Sequence, residues 1–218
     1  MPEINEEISI KIREGKGNIQ GNLAVPSGAK GAVLFAHGSG SGRFSPRNQY
    51  VAKMLNKAGI ATFLIDLLTQ EEEDIDVATA EYRFDIELLA KRLIDATEWL
   101  TMRQGTRNLK IGYFGASTGA AAALIAAAKL PQHIKAVVSR GGRPDLAMEY
   151  IPNVRAPTLF IVGGDDYEVI ELNRTAMKNF PVEYKLEIVH GATHLFEEAG
   201  KLEEVANLAT KWFSKFLH

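Results

Sequence analysis

Hydrophobic and polar positions follow different periods in different parts of the chain. Near the amino terminus, residues 8–12 and 19–25 alternate between apolar and polar, and a segment with Gly and Asn, residues 14–18, separates them. A period of two around such a turn predicts an antiparallel β-hairpin. Short runs that are almost wholly apolar then recur, which is typical of strands buried on both faces. These runs are residues 32–36, 60–65, 109–114, 134–138, 158–162 and 185–189.

Segments with a helical period lie between these runs. Ser45 followed by Pro46 predicts the N-cap and first position of a helix that continues to about Lys57. Residues 86–100 and 202–216 carry apolar side chains three and four positions apart, which predicts two helices with one core-facing stripe each. Strands and helices that alternate after an antiparallel start predict an α/β fold, with a mostly parallel sheet covered by helices on both faces.

The chain shows one marked run of charge and no internal boundary. Residues 71–74 and Asp76 are all acidic and stand between a predicted strand and a predicted helix, so we expect a solvated surface loop there. No repeat, low-complexity tract or linker rich in Pro, Gly or Ser interrupts the 218 residues. We therefore expect a single domain over residues 1–218.

The strongest functional motif is Gly-Ala-Ser-Thr-Gly at residues 115–119. It directly follows a buried run and directly precedes an alanine-rich segment, residues 120–128, which is the strand, turn and helix context of a nucleophile elbow. The pattern predicts Ser117 as a nucleophile at a helix N-terminus, where unpaired N–H groups favour negative charge. The alternative is that Ser117 only caps the helix and that the glycines serve packing.

Five histidines are available as the catalytic base. His133 and His218 are expected at the surface, and His37 is expected to pack and hydrogen-bond beside the loop after the first parallel strand. His190 and His194 follow the last strand, at the sheet edge where the nucleophile is expected. We predict His194 as the base, because a residue further into the loop can reach the serine while His190 is still held by its strand.

Two adjacent aspartates could complete a catalytic triad. The buried run at residues 158–162 ends in Gly-Gly-Asp-Asp, so either Asp165 or Asp166 could face the sheet edge and orient the imidazole. We predict Asp166, because the glycines allow a turn before it and Val169 anchors the next helix after it. Asp165 is then a capping or solvent-facing residue. The resulting chain order, Ser then Asp then His, is that of α/β-hydrolases.

These residues make the sequence resemble the dienelactone hydrolase family of the α/β-hydrolase superfamily. The resemblance runs from the glycine-rich segment at residues 37–42 through residues 115–119 to Asp166 and His194, which is essentially the whole chain. It implies the α/β-hydrolase fold, with an eight-stranded and mainly parallel sheet, and a hydrolase of acyl bonds. Dienelactone hydrolase proper has a cysteine nucleophile. Ser117 therefore indicates a serine esterase, which cleaves carboxylic esters or related acyl bonds, rather than a strict lactone hydrolase.

The family pattern and the geometry of the elbow both imply an oxyanion hole made of two backbone N–H groups. Thr118, directly after the nucleophile, supplies one donor, and Ser39, in the loop after His37, supplies the other. Each donor of this kind contributes about 3 kcal/mol to stabilising the transition state.

Three arginines near the expected site are candidates for binding a substrate carboxylate. They are Arg43, Arg140 and Arg143, and a guanidinium can bind a carboxylate through two hydrogen bonds. Structural pairing of these arginines with Asp66 or Asp145 is an equally open alternative. Residues 141–157 are too few for a cap domain, so we expect an open site without one.

Composition narrows the classes of partner. A formal net charge of -2 and a sequence pI near 6.2 argue against nucleic-acid binding, and the absence of cysteine excludes disulfides, thiolate metal sites and a cysteine nucleophile. The sequence shows neither a secretory signal nor a membrane-span pattern, so we expect a cytoplasmic protein without membrane contact. The expected partner is a small-molecule ester or lactone. No cofactor or metal is expected, and the protein is expected to be a monomer or homodimer.

Two other functions stay open at this stage. The first is a catalytically silent hydrolase-fold protein that binds a ligand, since fold alone does not determine function. The second keeps the triad for another reaction, such as acyl transfer, peracid formation or carbon–carbon hydrolysis. Fluorophosphonate labelling of Ser117 tests the first alternative, and product analysis with a competing alcohol or peroxide tests the second.

Overall fold

The computed structural model describes residues 3–218, in which strands and helices alternate along the chain. In chain order they are β1 (Ile4–Lys11), β2 (Asn18–Val25), β3 (Gly31–Ala36), α1 (Pro46–Lys57), β4 (Ala61–Ile65), α2 (Gln70–Thr79), α3 (Ile86–Met102), β5 (Lys110–Ala116), α4 (Thr118–Lys129), β6 (Ile134–Arg140), β7 (Thr158–Gly163), α5 (Tyr167–Met177), β8 (Tyr184–Val189) and α6 (Lys201–Leu217). Two short 3-10 helices, Pro144–Ala147 and Ile151–Asn153, lie between β6 and β7.

The strands form one sheet in the order β1-β2-β4-β3-β5-β6-β7-β8. β1 pairs antiparallel with β2, as the alternating pattern near the amino terminus predicted. β2 also pairs antiparallel with β4. All other neighbours are parallel. The predicted fold class is confirmed: an eight-stranded, mostly parallel sheet that begins with an antiparallel hairpin.

Helices cover both faces of the sheet. Every residue of β3, β4 and β7 is buried, which is why these strands read as continuous apolar runs. Side chains of α3 and α4 pack in one core cluster, whereas side chains of α1 and α6 pack in the other. Because β3 to β8 run parallel, their carboxyl ends lie at one common edge of the sheet.

No cap domain covers that edge in residues 3–218, because the β6–β7 connection holds only the two 3-10 helices. Within the same residues, none of the helices has both the length and the apolar character needed to cross a bilayer.

The acidic run forms a helix, so the predicted solvated loop is wrong. Thr69 is the N-cap of α2, and it exchanges hydrogen bonds with Glu72 in a capping box: the Glu72 N–H donates to Thr69 Oγ1 at 3.2 Å, and the Thr69 N–H donates to Glu72 Oε2 at 2.8 Å. Acidic side chains in a first turn complement the helix dipole, so the charges that resembled a solvated loop favour this helix start.

One acidic side chain of α2 is buried. Asp76 is 1% exposed and accepts hydrogen bonds from the backbone N–H groups of Tyr82 and Arg83, at 2.7 and 2.9 Å, and from Arg83 Nε at 2.6 Å. Burial raises the pKa of Asp76, but these hydrogen bonds outweigh it, and the net pKa lies below the ordinary value of 3.8. Asp76 therefore fixes the segment that leads from α2 to α3.

We expect Asp76→Asn to lower the free energy of unfolding by about 1–3 kcal/mol near neutral pH, because it leaves Arg83 without its carboxylate. A lowered folded-state pKa contributes stability above the unfolded-state pKa and loses it as the pH falls through the folded-state pKa. The difference between wild type and variant should therefore shrink below about pH 5. Urea unfolding of both proteins over a pH series measures this difference in the free energy of unfolding. Asp74→Asn, an exposed position of the same helix, is the control, and a difference that is constant with pH would contradict the assignment.

Candidate active site

The predicted nucleophile lies on a sharp turn between β5 and α4. Ser117 has φ 51° and ψ -121°, an uncommon conformation for a residue other than glycine. The turn is tight enough that a Cβ on Gly115 would lie 2.4 Å from Ala120 Cα, and a Cβ on Gly119 would lie 2.2 Å from Ala36 O. The Ser117 side chain makes no capping hydrogen bond to α4. Helix capping therefore does not account for this serine.

The structure brings the three predicted triad residues together. His194 Nε2 lies 3.4 Å from Ser117 Oγ, and His194 Nδ1 lies 2.6 Å from Asp166 Oδ2. The longer contact is at the limit of a hydrogen bond, as is common in substrate-free hydrolases, where such contacts tighten around the substrate. Asp165 is exposed, and its N–H donates to Ala192 O at 3.0 Å. Asp166 is therefore the aspartate that contacts the imidazole.

The loop that carries His194 is held by contacts that sequence reasoning missed. The N–H and hydroxyl of Thr193 donate to Glu198 Oε1 at 3.1 and 2.6 Å, and the hydroxyl is the largest cause that lowers the pKa of Glu198. Phe196 is 1% exposed and has a positive φ of 57°, which is unusual for a bulky residue. Glu198, which lies just before α6, was the one sequence signal for these contacts. An acidic residue at that position does not by itself show that it binds Thr193.

The other histidines lie away from Ser117 or face inward. His37 is buried, its Nδ1–H donates to Gly38 O at 2.9 Å, and its Nε2 accepts from the Leu67 N–H at 3.0 Å. Burial lowers the pKa of His37, so the ring is neutral and ties the loop after β3 to the loop after β4. His133 and His218 are exposed, as predicted, and His190 is exposed in the turn after β8 rather than held within the strand.

Ser39 and Thr118, the two predicted oxyanion-hole residues, are hydrogen-bonded to each other. Thr118 is the first residue of α4, where a backbone N–H has no acceptor within the helix. The Ser39 N–H donates to Thr118 Oγ1 at 3.1 Å, and the two hydroxyl oxygens lie 3.0 Å apart. Ser39 Oγ also donates to Arg83 O at 3.4 Å. A substrate oxygen would thus replace the Thr118 hydroxyl as the acceptor of the Ser39 N–H.

The three candidate arginines differ in their partners. Arg43 donates to Asp66 through both its backbone N–H, at 2.8 Å, and its guanidinium. Arg143 forms a bidentate pair with Asp145 at 2.9 and 2.8 Å. Arg140 is buried, and its Nε and Nη1 have no hydrogen-bond partner in the described part of the chain. The structural pairing left open above is therefore observed for Arg43 and Arg143 but not for Arg140.

A cavity of about 640 Å³ opens beside the loop after β3. Its lining includes Ser39, Arg43, Arg47, Asp66 and Glu73, so it reaches a predicted oxyanion donor and carries charges of both signs.

Five exposed apolar residues are adjacent in sequence to residues of the predicted site or to their hydrogen-bond partners. They are Phe44, Phe84, Leu146, Tyr167 and Leu195. We call these five residues the apolar rim.

Comparison with known proteins identifies the family of this chain. The sequence profile of the dienelactone hydrolase family matches residues 19–218. The crystal structure of dienelactone hydrolase from Anabaena variabilis superimposes with a TM-score of 0.96 at 55% identity, over 100% of each chain. A candidate carboxymethylenebutenolidase of Aquifex aeolicus is 26% identical over 201 residues, which are 86% of this chain and 85% of that protein.

A longer relative carries a different name. A candidate phosphoribosyl transferase of Mycobacterium tuberculosis H37Rv is 54% identical over 212 residues, which are 97% of this chain but 47% of that protein. The chain thus spans about half the length of this relative, whereas the match to the family profile covers almost all of the chain. The chain belongs to the dienelactone hydrolase family.

Proposed function

We propose that the protein is a serine hydrolase that cleaves carboxylic esters or related acyl bonds, lactones included, through an acyl-enzyme on Ser117. The observation that carries the proposal is the continuous contact from Ser117 Oγ through His194 to Asp166. Membership of the dienelactone hydrolase family supports a hydrolase in general. The serine mechanism rests on the geometry of these three side chains.

Acylation would begin with attack of Ser117 Oγ on the substrate carbonyl carbon, while His194 Nε2 takes the serine proton. Asp166 accepts the Nδ1–H of His194, which fixes the tautomer and stabilises the imidazolium. The negative charge that develops on the carbonyl oxygen would be met by the N–H groups of Thr118 and Ser39. Collapse of the tetrahedral intermediate breaks the bond to the alcohol, and the leaving oxygen takes the proton from His194.

Deacylation would repeat these steps with water as the nucleophile. His194 removes a proton from water, the resulting oxygen attacks the acyl carbon, and the proton returns to Ser117 as the carboxylic acid leaves. Residues 3–218 hold no cap over the site, so water has direct access to the acyl-enzyme.

The apolar rim supports a substrate with an apolar group beside its acyl carbon or leaving group. Tyr167 directly follows Asp166 and is 73% exposed, and Leu195 directly follows His194 and is 38% exposed. Phe84 is 61% exposed. Exposed apolar side chains that gather at a site favour ligands that cover them. Of the candidate arginines, Arg43 and Arg143 would have to leave Asp66 and Asp145 to bind a substrate carboxylate, so Arg140 is the arginine best suited to an anion.

The experiment is a panel of p-nitrophenyl esters and simple lactones. We expect turnover of short-chain esters, with a lower KM for butyrate and phenylacetate than for acetate because their apolar groups contact the rim. Leu195→Ser should raise KM for butyrate more than for acetate and leave kcat within about twofold, since Leu195 contributes to binding rather than chemistry. Val77→Ser, an exposed apolar position on α2, is the matched control.

Absence of turnover across the panel would overturn the proposed function, and equal effects of Leu195→Ser on both esters would overturn the role of the rim. Adding methanol or hydrogen peroxide to the same assay separates hydrolysis from acyl transfer and peracid formation. We expect the free acid to remain the main product.

The phosphoribosyl transferase name belongs to a protein of which this chain matches 47%, whereas the dienelactone hydrolase profile matches residues 19–218 of the chain itself. The name therefore gives little support to a transferase function here.

A further inference from the structure

Arg140 is a buried cation without a counterion. It is the last residue of β6 and is 7% exposed, and the alternation along the strand places it on the same face as Ala136 and Val138, which pack with α1 and α6. Its guanidinium carbon lies 6.0 Å from the centre of the Phe196 ring. No carboxylate of residues 3–218 pairs with it, and its Nε and Nη1 are both buried and without a partner. A buried charge left in this condition is strongly destabilising.

A second guanidinium contacts the same loop. Arg47, in the first turn of α1, also has a buried Nε without a partner, while its Nη1 pairs with Glu197 at 2.9 Å. Burial, and after it the positive charge of Arg47, lowers the pKa of Arg140 to about 10. Arg140 therefore remains charged at neutral pH. Arg140 and Arg47 contact neighbouring residues, Phe196 and Glu197, and together they have three buried nitrogens without an acceptor.

We propose that Arg140 and Arg47 form a binding site, the arginine seat, for one small oxyanion of the carboxylate or phosphate class. Such an anion would accept from one edge of the Arg140 guanidinium and from Nε of Arg47, whose buried nitrogens lack acceptors. The planar fork of a guanidinium matches two oxygens of either group, and the added negative charge offsets the repulsion between the two cations.

The seat borders a cavity on its Arg47 side and lies against the catalytic loop. Arg47 lines the cavity of about 640 Å³, which is open to solvent. Phe196, beneath Arg140, and Glu197, paired with Arg47, are the second and third residues after His194. An occupied seat therefore stabilises the loop that carries His194. This inference does not depend on the proposed hydrolysis, because binding can be measured without substrate.

Thermal unfolding in millimolar inorganic phosphate or acetate, at constant ionic strength set with chloride, tests the seat. We expect a saturable rise in Tm of about 3–5 °C at a tenfold excess over the dissociation constant of one of these anions. Low concentrations keep the general stabilising effect of phosphate salts small. Absence of a saturable rise with both anions would overturn the proposal.

Arg140→Met is the main variant. We expect its Tm without anion to equal or exceed that of wild type, because a buried unpaired charge is replaced by an apolar side chain, and we expect the saturable rise to vanish. Arg174→Met, at an exposed position of α5, is the control and should keep the rise. An undiminished rise in Arg140→Met would overturn the proposal. Should Arg140→Met not fold, Arg47→Gln serves instead and should weaken anion binding by at least about tenfold.

The anion could be free in solution or could be a group of the substrate itself. Steady-state hydrolysis of a neutral ester with added phosphate separates these sources. Competitive inhibition means that the seat opens towards the acyl site and receives an anionic group of the substrate, whereas an unchanged KM means a separately bound anion. Once the unfolding experiment has shown saturable binding, either result assigns the occupant of the seat. If no ester is hydrolysed, the unfolding experiment still decides whether the seat exists.

Discussion

Ser117→Ala is expected to lower kcat/KM for p-nitrophenyl butyrate by on the order of 10⁴-fold or more, because it removes the covalent route. Ser117 Oγ is the hydroxyl at the His194 imidazole, 3.4 Å from Nε2, and alanine leaves no atom there to form an acyl-enzyme. Any remaining rate would come from the oxyanion donors and from substrate binding alone. Steady-state kinetics on purified wild type and variant, with circular dichroism to verify folding, measure the effect.

Covalent labelling gives this prediction a second readout. A fluorophosphonate should add one label to the wild-type peptide that contains residues 115–119 and none to Ser117→Ala. Ser214→Ala, a serine of α6 away from the site, is the matched control and should keep both activity and labelling. A Ser117→Ala variant that retains wild-type turnover would show that the nucleophile lies elsewhere, and a protein that neither labels nor hydrolyses would be the silent binding protein considered above.

Asp166→Asn is expected to lower kcat by about 10³–10⁴-fold while changing KM by little. The carboxylate accepts the Nδ1–H of His194 at 2.6 Å, which leaves Nε2 free to take the serine proton. An amide at the same position can donate to Nδ1 instead, which favours the opposite tautomer, and it no longer stabilises the imidazolium. The variant keeps the shape of the side chain, so the loss reports on charge and tautomer rather than on packing.

The neighbouring aspartate provides the control for this prediction. Asp165 is exposed and makes no contact with the imidazole, so Asp165→Asn should keep kcat within about twofold of wild type. A double variant, Ser117→Ala with Asp166→Asn, should be no worse than Ser117→Ala alone, because the residues act as one unit. A large loss in Asp165→Asn with a small one in Asp166→Asn would reverse the assignment of the acid.

Where the sequence signal is local, the structure agrees with it. Buried strands and amphipathic helices are visible as periods of two and of about 3.6 residues because each side chain's direction follows from its own backbone. The elbow at residues 115–119 is local in the same sense: the glycines are required where β5 and α4 crowd around Ser117. The error at α2 arose because a run of like charges indicates solvent when read alone. The spacing of Thr69 and Glu72 is itself a local capping-box signal, whereas the pairing of Asp76 with Arg83 is visible only in the structure.

The sequence by itself therefore determined the fold class, the position of the elbow and a short set of candidates for each catalytic role. Only the tertiary structure decided which candidates meet: Ser117 and His194 are 77 residues apart in the chain, and Asp166 and His194 are 28 apart. It also decided that Arg43 and Arg143 are paired while Arg140 is not, and that the Ser39 N–H already has an acceptor in Thr118. The reason is physical, since periodicity depends on near neighbours along the chain, whereas hydrogen-bond partners depend on how distant loops pack at one edge of the sheet.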